Sequence, residues 1–445
     1  MILILLGLVI VIIGLLDFKH GFMLYLLYQI FGYASAELFY SPGMPAITIG
    51  LLMSTAYTIL YVVKGKKYNT VKTEFPYKLP FIFISLSLIA SCFTSLAGFT
   101  SEITRAVNMI LHDIVMIWIA WNVINTEKDF KFLFKGYTFI FLVGGVWGII
   151  EYSMKTNPYV LYKASLNHNG IILYDPNYNR GYRLTDLFEH PIGCGMTMAM
   201  FIVLVLILFV KYNYKPKYKY ISLVAALICI PCILFTKMRS GVFFLGIAIL
   251  SFVDLKKKKF LEVALIVALG IFIAWPMISP NLNIALSIFN KAAQSQVKGS
   301  DFTMRLRQFD AVYHIFQMSP ITGLGEKFDD FLVNQWTMQA YEYESVWLDQ
   351  MARHGALGVL ANIALMISTV FVVPKKFKNK EIFIIGLAYW VTYTMTSIPS
   401  FRGSLFYITM FYCIKHSSVY LSIERKEKIN NSVKLKFRRP KVSKL

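Results

Sequence analysis

Apolar and polar positions are grouped along this chain in long blocks. Apolar runs lie near 1–16, 21–39, 44–63, 79–97, 105–124, 133–153, 190–210, 219–236, 240–254, 260–278, 345–373, 381–397 and 404–422. A helix that crosses the hydrocarbon core of a bilayer needs roughly 20 apolar residues at about 1.5 Å each. The pattern therefore predicts an all-α fold, a polytopic membrane bundle of about 12–13 transmembrane helices. It excludes a β-barrel, whose strands alternate apolar and polar residues over about ten positions. Residues 1–16 have neither a basic start nor a small-residue cleavage site, so they read as a retained helix and not as a signal peptide.

Lysine-rich connectors fall at 64–78, 128–135, 211–219, 256–259 and 375–380, with a basic tail from Arg425. Neighbouring connectors are separated by two apolar runs, so all six land on one side. The positive-inside rule makes that side cytoplasmic, and thirteen spans put Met1 outside. The same rule accounts for the net charge of +21, which in a soluble protein would point to nucleic acid. No nucleic-acid partner is expected. The tail is placed on anionic lipid. Five cysteines, Cys92, Cys194, Cys229, Cys232 and Cys413, are scattered through the apolar runs. The Cys229-Ile-Pro-Cys232 spacing reads as two small core residues and not as a redox pair.

The long polar interval after the tenth run breaks the alternation. The predicted organisation is a bundle over 1–278 with an outer loop at 154–189, a large outer helical loop over 279–343, further spans over 344–422, and a cytoplasmic tail over 423–445. Within the loop, Phe302, Leu306, Phe309, Tyr313 and Phe316 recur at helical spacing and predict a core-facing apolar stripe. Ser300 or Asp301 would cap that helix and Pro320 would end it. Arg305 and Arg307 point about 200° apart on it and do not share one small site.

The order of residues in this region carries a resemblance. A helix with an early Arg305 is followed by Pro320, then Gly323-x-Gly325. The polar pair Glu344-Ser345 then opens an apolar helix that ends in Gly355-x-x-Gly358. This order resembles the O-antigen ligase and polymerase superfamily, including the Wzy-type polysaccharide polymerases. The resemblance implies a metal-independent glycosyltransferase of the bacterial inner (plasma) membrane with its active site on the extracytoplasmic face. Its substrate would be an undecaprenyl-pyrophosphate-linked oligosaccharide and its surroundings membrane lipids. A chain-length regulator and a flippase are the further partners implied, and no cofactor is.

The predicted inner loops before the tail hold lysine but no arginine, and the outer side carries Arg105, Arg180, Arg183, Arg239, Arg305, Arg307 and Arg402. A guanidinium binds phosphate and pyrophosphate through two parallel hydrogen bonds and stays charged, which lysine does less well. Arg183, Arg239, Arg305 and Arg402 are the candidate pyrophosphate ligands, the first three of them with a catalytic role. Arg239 sits in a turn too short to leave the membrane surface, and the resemblance makes that turn a functional position.

The outer acids and histidines are Glu189, His190, His314, Glu326, Asp329, Asp330, Glu342 and Glu344. Ligases of the family carry His-Asn where this chain has Glu344-Ser345. Glu344 is the candidate catalytic base toward a sugar hydroxyl, with a helix-capping role as the alternative. His190 is a weaker base candidate. Asp349 and Arg353, four apart, are expected to pair along one helix. No cluster has metal-ligand spacing, so no metal is expected. The function implied is polymerisation of lipid-linked glycan. The alternatives are ligation to another acceptor within the same family, and lipid-linked oligosaccharide transport. The absence of an internal repeat argues against transport.

Overall fold

A computed structural model describes residues 1–32, 34–39, 47–68, 74–166, 181–188, 190–211, 218–249, 302–332, 343, 345–394, 403–417 and 420–421. The helices are α1 (Ile2–Leu16), α2 (Phe18–Phe31), α3 (Ile49–Lys64), α4 (Lys78–Ser91) and α5 (Phe99–Val123). Then come α6 (Glu127–Met154), α7 (Pro158–Ala164), α8 (Pro191–Phe209), α9 (Lys219–Phe235) and α10 (Arg239–Ile249). The last are α11 (Phe302–Met318), α12 (Phe328–Leu332), α13 (Val346–Phe377), α14 (Lys380–Thr394) and α15 (Gly403–Lys415). Twelve of the thirteen apolar runs contain a helix at their core; the run at 260–278 lies outside the described residues. Among the described residues, α5, α6, α8 and α13 are long and apolar enough to cross a membrane, and shorter apolar helices accompany them. The protein is an all-α membrane protein, and among the described residues one ribbon departs from this, Glu37–Phe39 paired antiparallel with Ile47–Thr48. That ribbon occupies the end of the run at 21–39, because α2 stops at Phe31 before Gly32.

Local chemistry explains the boundaries. Asp17 accepts from the Lys19 and His20 amides and starts α2, and Thr48 caps α3. Thr126 and Asp129 form a reciprocal capping box at the start of α6. Asn157 precedes Pro158, and His190 precedes Pro191, each as the cap of a proline-led helix. Gly145 and Gly148 on α6 leave room for α9: a Cβ on Gly145 would stand 2.7 Å from Ile228, and one on Gly148 would stand 3.2 Å from Cys232 Sγ. Cys229 and Cys232 are buried, free thiols at this contact, as core residues would be.

Contacts between distant segments define the two ends of the bundle. At one end Lys19 pairs with Asp129 (2.7 Å), Lys64 reaches the Leu15 carbonyl, and Lys415 donates to the Trp121 and Ile124 carbonyls. Asn379 reaches Cys413 there as well. This is the end that carries the described lysine connectors. At the opposite end Met1 meets Tyr162, and turn 92–98 meets the glycine loop at 319–327. The placement of Met1 agrees with α1 running from the second end to the first.

α11 departs from expectation. Its buried residues are Gln308, Ala311, Val312 and Ile315, and Val312 and Ile315 share one apolar cluster with Ala352 of α13. Leu306, Phe309 and Tyr313 of the expected core stripe are more than half exposed. Small and β-branched side chains on the other face let α11 lie close to α13, so the large residues point away. Ser300 and Asp301, the expected caps, lie outside the described residues.

Candidate functional site

The glycine loop and α13 are built into one another. Gly355 breaks α13 with φ 60° and ψ −153°, a conformation open essentially to glycine alone. In an unbroken helix the amides of Ala356 and Leu357 would donate to the carbonyls of Ala352 and Arg353. Here they donate to the Pro320 and Ile321 carbonyls, at 2.9 and 3.1 Å. The carbonyls of Ala352 and Arg353 accept instead from Leu324 and Gly325, both at 3.0 Å. The loop thus occupies the break and satisfies the backbone groups that it exposes. Gly323 and Gly325 have φ of 69° and 84°. A Cβ at Gly323 would stand 2.4 Å from the Arg353 backbone. Gly355-x-x-Gly358 is therefore the middle of α13 and not its end, which corrects the sequence reading.

A buried polar network surrounds the break. Glu326 receives His354 Nε2 on Oε1 at 3.0 Å and Arg353 Nη1 on Oε2 at 2.7 Å. Arg353 also donates to the Glu326 carbonyl, and its Nε donates to Asp349 Oδ1 at 2.6 Å. The expected i,i+4 pair on α13 is present. Glu102, 1% exposed, accepts from the Glu326 amide at 2.7 Å and from Ser95 Oγ at 3.1 Å. Burial works to raise the Glu326 carboxyl, but the His354 hydrogen bond and the Arg353 charge outweigh it and hold it at about 2. His354 Nδ1 lies 3.1 Å from Ser91 Oγ, so serine, histidine and glutamate stand in line. Ser91 is fully buried and donates to the Leu88 carbonyl, so it is not a nucleophile. The line is a structural tie between α4, the loop and α13.

A second cluster forms where α6, α9 and α10 meet. Glu151 accepts from Tyr182, Asn157, the Thr185 amide and hydroxyl, and the Asp186 amide, at 2.8 to 3.1 Å. These bonds fix residues 182–186, and Leu184 pairs with the Phe235 carbonyl at 3.1 Å. Arg183 is thereby held against the short turn: its Nε donates to the Thr236 carbonyl at 3.1 Å, and its Nη2 meets Met238 Sδ. Arg239, half-buried, begins α10 directly after that turn. Lys237 shares the turn; burial lowers its ammonium, and the charges of Lys155 and Arg183 lower it further. Lys155 stands 3.4 Å over the Tyr152 ring. Asp186 is pushed well up, by burial first and by Glu151 next. His190 is pushed down to about 3 by burial and then by Arg183. Its Nδ1 accepts from the Ile192 amide at 3.1 Å, so that nitrogen serves the cap and not catalysis.

The structure brings Arg183 and Arg239 to one turn. Arg305 lies on α11, which packs on α13, but its side chain falls outside the described residues. Glu344 and Arg402 also lie outside them. Tyr343 before Glu344 is buried and stacks on Phe328, and Ser345 precedes the first residue of α13. Trp347 Nε1 donates to Thr394 Oγ1 at 3.1 Å, and α14 packs on both α13 and α10, which links the two clusters through one helix. Sequence reasoning missed Glu102, His354 and Ser91 as partners of Glu326. Glu102 lies 224 residues from Glu326, and no local spacing announces that contact.

Residues 223–363, from α9 through the glycine loop to the first half of α13, match a family model described as O-antigen ligase. No curated protein matches the chain. The matched stretch holds Arg239, Arg305, Gly323, Gly325, Glu344 and Gly355 in the order already noted. Members of this family are glycosyltransferase-like membrane enzymes that act on lipid-linked oligosaccharides. The clasp of glycine loop and broken helix, and the turn that starts with Thr236, both fall inside this segment, whose match supports the O-antigen ligase/polymerase superfamily.

Proposed function

We propose that this protein polymerises polysaccharide, such as O-antigen, capsule or exopolysaccharide, at the outer face of the bacterial inner (plasma) membrane. It transfers an undecaprenyl-pyrophosphate-linked glycan onto a lipid-linked repeat unit. The observation that carries this reading is the convergence of Arg183, Lys237 and Arg239 on one membrane-end turn within or beside the matched segment. Gathering cations there costs free energy, and a pyrophosphate would offset it.

In this reading a hydroxyl oxygen of the acceptor sugar attacks the anomeric carbon of the donor. The bond from that carbon to the phosphate oxygen breaks, and the electron pair leaves with the lipid pyrophosphate. Arg183, Arg239, Arg305 and Arg402 hold that leaving group and stabilise its growing charge. Glu344 takes the hydroxyl proton. A chain-length regulator and a flippase are the partners proposed.

Glutamate in place of the family's histidine favours polymerase over ligase. The test is purified protein in proteoliposomes with lipid-linked repeat alone. A ladder of lipid-linked polymer is expected. No ladder, with transfer only when a different acceptor is added, would replace the polymerase by a ligase. No glycosidic product in either case, with repeat moved across the bilayer, would favour a transporter.

A further inference from the structure

α5 carries an ionisable pair where a membrane helix should have none. Its only π-helical turn among the described residues, Ile110–Val115, contains His112 and Asp113. Such turns recur at functional positions because they displace side chains from the regular helical faces. The depth of the pair follows from two anchors. Glu102 is bonded to the Glu326 amide at one end of the bundle, and the Ile124 carbonyl accepts from Lys415 at the other. Asp113 is eleven residues from each, about 16 Å along the helix in either direction. The two distances together match a hydrocarbon core of about 30 Å, so Asp113 lies at mid-membrane.

Asp113 faces other helices of the bundle. Tyrosines from three other helices, Tyr25, Tyr389, Tyr393 and Tyr407, lie within electrostatic reach of its carboxylate. Even so the Asp113 side chain is 59% accessible, so a space opens beside it.

Gln29 Nε2 donates to Tyr25 Oη at 2.8 Å and lies 3.4 Å from His112 Nε2. His112 Nδ1 lies 2.8 Å from Asp113 Oδ1, so the two side chains form one hydrogen-bonded pair. From it a polar stripe runs back to the glycine-loop end at spacings of four and three: His112, Asn108, Arg105. Asn108 Oδ1 is enclosed and has no hydrogen-bond partner among the described residues, a position that suits water.

We propose that a hydrated crevice, open at the glycine-loop end and lined by Arg105, Asn108, His112 and Asp113, reaches mid-membrane and holds a small cation at the Asp113 carboxylate. This does not depend on the transferase reading. The test uses Asn108→Cys in the full chain, in sealed membrane vesicles of both orientations. Phe93→Cys, on the exposed turn at 92–98, marks which orientation presents that end. The wild type, whose five cysteines are all buried, gives the background. The probes are the impermeant trimethylammonium and sulfonate methanethiosulfonates. The thiol of Asn108→Cys should react in the same orientation as that of Phe93→Cys, faster with the cationic reagent. Adding Asp113→Asn should lower the cationic-to-anionic rate ratio by about three-fold or more, as loss of one charge some 8 Å away requires. Reaction with a permeant maleimide alone, or only from the other side, would overturn the crevice. An unchanged ratio in Asp113→Asn would overturn the cation site. If Asn108→Cys does not accumulate, Thr104→Cys, one turn nearer the opening, replaces it with the same expected outcomes.

Discussion

Replacing Gly355 by alanine tests the clasp directly. A Cβ there would stand 2.6 Å from the carbonyl carbon and oxygen of Ile321 and 2.7 Å from the Gly323 amide nitrogen. These are backbone atoms already held by hydrogen bonds, so they cannot swing aside. The φ of 60° adds strain of its own, on the order of 1–3 kcal/mol for a residue other than glycine. The alternative is to straighten α13. Two helical bonds then form, from Ala356 to Ala352 and from Leu357 to Arg353. Four bonds between loop and helix are lost. The net loss of two bonds costs about 2 kcal/mol, and separating Glu326 from Arg353 adds to it, since breaking a buried pair costs about 3–5 kcal/mol. Staying in place costs about 1–3 kcal/mol of strain plus the clash, and straightening costs about 5–7 kcal/mol, so the destabilisation lies between these, about 3–5 kcal/mol. Thermal unfolding in lipid nanodiscs, with hydrogen exchange of a peptide covering 319–327, measures both effects. Gly246→Ala is the control, because a Cβ there meets nothing within 4 Å. That variant should unfold like the wild type or slightly later. A Gly355→Ala protein with unchanged unfolding and unchanged exchange at Leu324 and Gly325 would refute the clasp.

Three further outcomes are expected. Arg239→Lys should accumulate normally and lose most polymer formation, because a point charge does not reproduce the two-pronged guanidinium contact; near-normal polymer length would make Arg239 an anchor. Glu344→Gln, matched for folded protein, should lose about 10²–10⁴-fold in turnover if Glu344 is the base; equal turnover would move the base elsewhere. Glu326, held at about 2 against an ordinary 4.5, contributes stability that is complete above pH 4.5 and is lost as the pH falls toward 2. Glu326→Gln should be less stable at neutral pH and should lose that acid dependence; an identical acid profile would show that Glu326 is not the linked group.

The apolar runs gave the helices and their order because crossing a bilayer constrains length and composition together. The lysine connectors gave a pattern of ends that agrees with Lys19, Lys64 and Lys415 meeting at one of them. The Arg183 and Arg239 turn was legible because both lie beside helix ends in short motifs. What stayed hidden was the direction in which α11 faces. Its large residues look like a core stripe, yet Val312 and Ile315 are the ones that cluster with Ala352. The Glu102 and Glu326 contact was hidden for a different reason. It joins turn 92–98 to the glycine loop, and periodicity carries no information about which loops meet. His112 and Asp113 sat inside an apolar run and were read as part of it.

The clasp also bears on how α11 and the start of α13 are set against each other. α11 and the first part of α13 both run toward it: Pro320 and Ile321 bond to Ala356 and Leu357, while Val312 and Ile315 pack on Ala352. The two helices are therefore locally parallel. Counting back from the clasp, Arg305 is fourteen residues from Ser319, about 20 Å along α11. Val346, the first residue of α13, is nine residues from Gly355, about 14 Å, and Glu344 precedes it by two. Arg305 on α11 and Val346 at the start of α13 thus leave one fixed point in one direction, about 20 and 14 Å out. A helix break that receives a loop is a rigid way to set that relation, since four backbone hydrogen bonds define it and no side-chain rotamer enters. It follows that the glycines matter through position. Their loss should reduce turnover by shifting α11 against the start of α13, on the scale that a displacement of about 1 Å causes, about 10²-fold.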